Sequence, residues 1–148
     1  MDITKQGNNI YRNLIAYRKA VVIYDLTYHF CERFIAIGDR TKDQMIQAAR
    51  SGKQNIVEGR VDAATSAEIE IKLYGVARGS LHELLNDYGD YMRTRNIKVW
   101  SQTHPRYAKL RKTCYENNES EYYLELAPRL NDEEYCNLMI TLIHQVIA

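Results

Sequence analysis

Between Arg93 and Lys112 the chain carries seven basic residues, Arg93, Arg95, Lys98, Arg106, Lys109, Arg111 and Lys112, and no acidic one. Trp100, His104 and Tyr107 are interleaved with them. Cations neutralise phosphates and aromatic rings stack on bases, so these residue types together predict nucleic-acid contact. From Thr113 to Tyr135 the balance reverses, with Glu116, Glu119, Glu121, Glu125, Asp132, Glu133 and Glu134 against Arg129 alone. The competing expectation is that the two segments neutralise each other, within one subunit or between neighbours. Trp100 taken alone fits packing at a helix end better than a base platform.

Other chemistries are poorly served. Ser51 to Gly59, SGKQNIVEG, resembles a phosphate loop, but the Walker pattern needs Gly where Gln47 stands and Ser or Thr where Gln54 stands. None of the four histidines follows a glutamate by three residues, so the Glu-x-x-His pattern of di-iron bundles is absent. His82-Glu83 lacks the second histidine of a zinc-protease helix, because position 86 is Asn86. Nothing orders a serine, a histidine and an acid for nucleophilic catalysis. The expectation is a protein that is not an enzyme and holds no cofactor or metal.

Cys31, Cys114 and Cys136 are odd in number and widely spaced, which predicts reduced, buried thiols. No apolar run approaches the roughly 20 residues that span a bilayer, and the start MDITKQGNN has no secretory character. A cytoplasmic protein without membrane contact is expected. At 148 residues, residues 1–148 should form a single domain. A net charge of +1 predicts no general attraction to nucleic acid, so any such contact must come from local asymmetry.

The elements that must position these residues read as helices. Leu14, Val21, Tyr28 and Ile35, with Tyr17, Tyr24 and Cys31 three positions on, predict a buried stripe from Tyr11 to Ile37, ended by Gly38. Tyr17, Tyr24 and Tyr28 also suit a subunit interface, being apolar bodies with polar tips. Thr41 with Gln44 and Thr65 with Glu68 have capping-box spacing for a second and a third helix. The inner faces are Met45, Ala49, Gly52 and Ile56, then Ile69, Leu73, Val76, Leu81, Leu84, Leu85 and Tyr88. Gly59 is the expected stop of the second helix, and the third runs to about Met92. Pro105 is the expected first residue of a helix to about Tyr115, Pro128 breaks a short helix or turn, and Asn131 with Glu134 caps the last helix.

Mid-helix glycine costs about 1 kcal/mol relative to alanine, so Ala48 with Gly52 and Gly75 with Gly79 imply a compensating close approach of the second and third helices. Asn55, Glu58 and Arg78 are candidates for a polar network at the edge of that seam, with Gly59, Gly79 and Ser80 in its motif.

These residues carry a resemblance. Gln44, Met45, Ala48, Ser51, Asn55, Ile56, Glu58 and Gly59, followed by Ala77, Gly79, Ser80, Leu81, Glu83 and Leu84, resemble the signature of the 23S rRNA intervening-sequence proteins. The two blocks agree in order and spacing, and the likeness covers roughly Leu14 to Tyr91. It implies an all-α, antiparallel up-and-down four-helix bundle that assembles as a five-fold ring, a homopentamer. It also implies kinship in fold with the accessory variability protein of diversity-generating retroelements, which binds a reverse transcriptase and nucleic acid. The family's paired basic positions are Ile46 and Gln47 here, and its alanine before the glutamate is Val57. Arg50, Lys53 and Arg60 remain nearby. The segment beyond Tyr91 is longer than in a minimal member and predicts an extra C-terminal helical segment. The expected function is a non-enzymatic, homo-oligomeric scaffold that binds RNA, DNA or a nucleoprotein partner. A protein-interaction scaffold without nucleic acid is the alternative.

Overall fold

The computed structural model describes residues 3–61 and 67–148, with side chains over 14–56 and 68–148, and every regular element among them is helical. The fold class is all-α. The elements are α1 (Ile3–Phe34), α2 (Arg40–Val61), α3 (Ala67–Thr94), α4 (Tyr107–Glu116), α5 (Ser120–Leu126) with a 3₁₀ turn (Ala127–Arg129), and α6 (Asp132–Ile147).

Helix ends follow local hydrogen bonding. After α1, Gly38 takes the left-handed φ of +89° that an L side chain resists. The α2 cap is Asp39, not Thr41: the Asp39 carboxylate accepts the Thr41 N–H at 2.9 Å, so the first turn already contains Thr41. That amide holds the Asp39 carboxyl below its usual range. Gly59 does not stop α2, which continues to Val61, since glycine permits the left-handed conformation without imposing it. Thr65 and its cap with Glu68 lie outside the described residues. Pro105 does not open α4: the His104 carbonyl accepts the Tyr107 N–H, His104 Nδ1 accepts the Arg106 N–H, and the helix begins only at Tyr107. At α6 the capping box forms as expected, with Asn131 and Glu134 exchanging bonds of 2.8 and 2.9 Å. Pro128 sits in the 3₁₀ turn after α5.

The long helices touch in cyclic order, α1 on α2, α2 on α3, α3 on α6 and α6 on α1, while α5 lies on α1 and α4 on α6. Between them Ile23, Leu26, Phe30, Met45, Leu81, Leu84, Tyr88, Tyr135 and Met139 are fully buried. Phe30 meets the Tyr88, Tyr91 and Tyr135 rings at 4.9 to 5.3 Å, the offset and edge contacts aromatic rings prefer. Buried hydroxyls are partnered: Tyr135 donates to the Leu26 carbonyl at 2.6 Å, and Tyr88 and Thr27 share a bond of 2.9 Å. The inner face expected on α2 is buried throughout. On α1 the buried arc centres on Ala16, Ile23 and Phe30, so Leu14 and Val21 flank it and Tyr28 is exposed. Two neighbouring long helices plus α5 widen the arc, and a seven-residue row can then fall on its edge. On α3, Ile69 and Val76 are exposed, and the core row runs instead through Ala77, Leu81, Leu84, Tyr88 and Met92.

Among the described glycines, Gly52 is the one pressed into the α2–α3 seam. A Cβ at Gly52 would lie 2.7 Å from Leu81 Cδ2, whereas Gly75 and Gly79 have nothing within 4 Å. The expectation that Gly75 and Gly79 permit close approach is therefore corrected: both face open space. Beside Gly52 the Ser51 and Ser80 hydroxyls bond at 2.7 Å, and Asn55 Nδ2 donates to the Ser51 carbonyl at 2.8 Å. Arg78 is exposed on α3 and the Glu58 side chain lies outside the described residues.

Candidate nucleic-acid interface

The basic segment begins where α3 ends. Asn96 has φ +57°, and the Ile97 N–H reaches the Met92 carbonyl at 2.9 Å while the Asn96 N–H reaches that of Arg93, a Schellman closure that turns the chain away from α3. Asn137, buried in α6, then holds the strap that follows. Its Oδ1 accepts the Trp100 N–H at 2.8 Å, and its Nδ2 donates to the Lys98 and Glu133 carbonyls at 3.1 and 2.9 Å. Asn137 was not among the expected site residues; a polar amide between Cys136 and Leu138 in the apolar run of α6 was its signal.

Trp100 is buried as a packing residue. Its Nε1 donates to Glu133 at 2.9 Å, the His104 ring stacks on it at 4.4 Å, and the Arg106 guanidinium lies 4.9 Å from the ring centroid. Arg106 in turn pairs with Glu134 at 2.7 Å. The Asn131 amide, then Arg106, hold the Glu134 carboxyl below its usual range. Basic and acidic segments therefore do meet at the start of α6.

The cations divide by environment. Arg93 pairs with Asp90 at 3.3 Å and Lys112 with Glu116 at 4.0 Å, both exposed and worth little each. Arg95 lies 3.7 Å from the Tyr91 ring centroid, and Arg111 lies 5.6 Å from that of Tyr107 while donating to its hydroxyl at 3.2 Å. Lys98 and Lys109 are exposed with no side-chain partner among the described residues. On α2, Arg50 is exposed and Lys53 sits 4.3 Å from the Tyr24 ring centroid, whereas the Arg60 side chain lies outside the described residues. No hydrogen bond, ion pair or ring contact among the described residues joins Arg50 or Lys53 to the 93–112 segment.

Elsewhere the chemistry is sequestered. The three cysteines are free and buried, and burial pushes each thiol up to about 12. Buried Lys19 donates to the Cys114 carbonyl, and desolvation lowers its pKa against the attraction of the Cys114 side chain. A thiol held protonated is a poor nucleophile. Among the described residues, no three His, Cys, Asp or Glu side chains gather as a metal site, and no helix is long and apolar enough to cross a membrane. No family model, no curated protein and no solved structure matches the chain.

Proposed function

We propose that this chain is a non-enzymatic, homo-oligomeric helical scaffold that binds nucleic acid, alone or within a nucleoprotein partner. The observation that carries the reading is the strap and helix holding exposed Lys98, Lys109 and Arg111: two cations without acidic partners among the described residues and a third laid on a tyrosine, within one short segment. In the finer reading of the fold, α1, α2, α3 and α6 make an antiparallel up-and-down bundle, with α4 and α5 inserted before its last helix. The cyclic helix contacts support this, as do the Tyr91–Asp132 and Tyr74–Val146 bonds, which run in opposite directions along α3 and α6. Membership of the intervening-sequence family, and with it a five-fold ring, is supported by the 44–59 and 77–84 residue pattern. Exposed Ile71 and Val76 beside Gly75 and Gly79 suit burial by another subunit.

Anisotropy titrations with labelled structured RNA and duplex DNA at several salt concentrations test the function. Phosphate contacts release counterions, so affinity should fall steeply with salt. Replacing Lys98, Lys109 and Arg111 by glutamine should flatten the slope, by about one for each phosphate that is no longer neutralised. No binding at low salt would favour the protein-only scaffold. That reading has its own support, since the Arg106–Glu134 and Lys112–Glu116 pairs partly neutralise the segment.

A further inference from the structure

Between α4, α6 and the strap lies a cavity of about 240 Å³ whose lining includes Val99, Tyr107, Arg111, Thr141, His144 and Gln145. It is smaller than the roughly 300–1,000 Å³ of drug-sized ligand sites, which suits a single ring system. Its lining residues include an aromatic one, Tyr107, the exposed Arg111 and several that can hydrogen-bond. Gln145 Nε2 donates to the Arg111 carbonyl at 3.3 Å, but Gln145 Oε1 is buried without a partner among the described residues. Buried acceptors are almost always satisfied, so this orphan is a group that gains a partner only if the half-buried Gln145 side chain rotates toward the cavity. The His144 imidazole has no side-chain partner among the described residues, and Arg111 uses one terminal nitrogen on Tyr107, leaving others for an anion.

A flat heterocycle with N–H donors and an attached phosphate meets all of these demands. We propose that the cavity takes the base of one nucleotide, stacked against Tyr107, with its phosphate at Arg111, and that Gln145 rotates on binding so that its Oε1 accepts from the base. The inference rests on the nucleic-acid reading and deepens it: the interface would take unstacked, single-stranded nucleotides and not only backbone charge. The same chemistry also fits a free mononucleotide.

The test compares short labelled single-stranded RNAs with an abasic strand of equal length, using the full chain, Val99→Trp and Gln145→Met. Val99 is exposed at the cavity, so a tryptophan there can plug it without entering the core, and circular dichroism checks that both variants fold. Base-bearing strands should bind at least about tenfold tighter than the abasic strand, the size of one stacking contact, and lose that margin in Val99→Trp. Equal binding of both strands, or a margin that survives Val99→Trp, overturns the base pocket and leaves backbone binding standing. If no strand binds at low salt, the nucleic-acid reading fails and free mononucleotides decide. Saturable mononucleotide binding weakened in Gln145→Met supports the pocket, and none overturns it.

Discussion

Glycines that look alike in the chain differ by what a methyl group would meet. At Gly52 a Cβ would press on Leu81, which is itself fully buried, and overpacking of this kind costs roughly 1–3 kcal/mol. Gly52→Ala should therefore lower stability despite its better helix propensity, read as a lower urea midpoint. Gly75→Ala and Gly79→Ala meet open space and should each raise stability by about 1 kcal/mol. The proposed oligomer predicts a different outcome if it covers that face of α3: either alanine would then shift the protein to smaller species in sedimentation. Asn96 differs again: its positive φ makes Asn96→Gly tolerable and Asn96→Ala costly by about 1 kcal/mol.

At the scale of elements, α6 does two jobs. It closes the core through Tyr135, Leu138, Met139, Leu142 and Ile143, and it holds the basic strap through Asn137, Glu133 and Glu134. Asn137→Leu strands the buried Trp100 amide, at about 1–3 kcal/mol, and leaves the part-buried Lys98 carbonyl without its side-chain donor. Trp100 is the only tryptophan, so its emission reports directly: a red shift with α6 still helical is the expected outcome, and unchanged emission would mean that Asn137 does not hold the strap. Asn131→Ala removes the capping box and should cost about 1 kcal/mol without the same spectral change.

For the whole molecule, protons decide the alkaline limit. Burial raises Cys31, Cys114 and Cys136 from 9.0 to about 12, raises Tyr91 to about 12, and raises Tyr74, Tyr88, Tyr123 and Tyr135. The folded state keeps protons that the unfolded chain releases, so this stability is complete below the ordinary values and is lost as pH rises from 9.0 toward 12. Each pKa unit of difference corresponds to about 1.4 kcal/mol. Lys19 acts oppositely: its lowered pKa means the unfolded chain binds the proton more tightly, so its burial penalty fades as pH climbs toward 10.5. Eight raised groups outweigh one, and the urea midpoint should fall steeply above about pH 9. A midpoint that stays flat toward about pH 11 would contradict the buried thiols and phenols.

Helix periodicity, the left-handed turn at Gly38, the Asn131–Glu134 cap and the inner face of α2 were legible in the chain, because each depends on residues within one or two turns of one another. The charge asymmetry of 93–112 was legible for the same reason. Long-range contacts decided the rest. Neighbouring helices set which arc of α1 and α3 is buried, and only Leu81 distinguishes Gly52 from Gly75 and Gly79. Trp100 packs as its residue type suggested, but its partners Asn137 and Glu133, 37 and 33 positions away on α6, came only from the fold. Which cations stay unpaired followed from where carboxylates such as Asp90, Glu116 and Glu134 came to rest, and Coulomb attraction depends on distance in space, not along the chain.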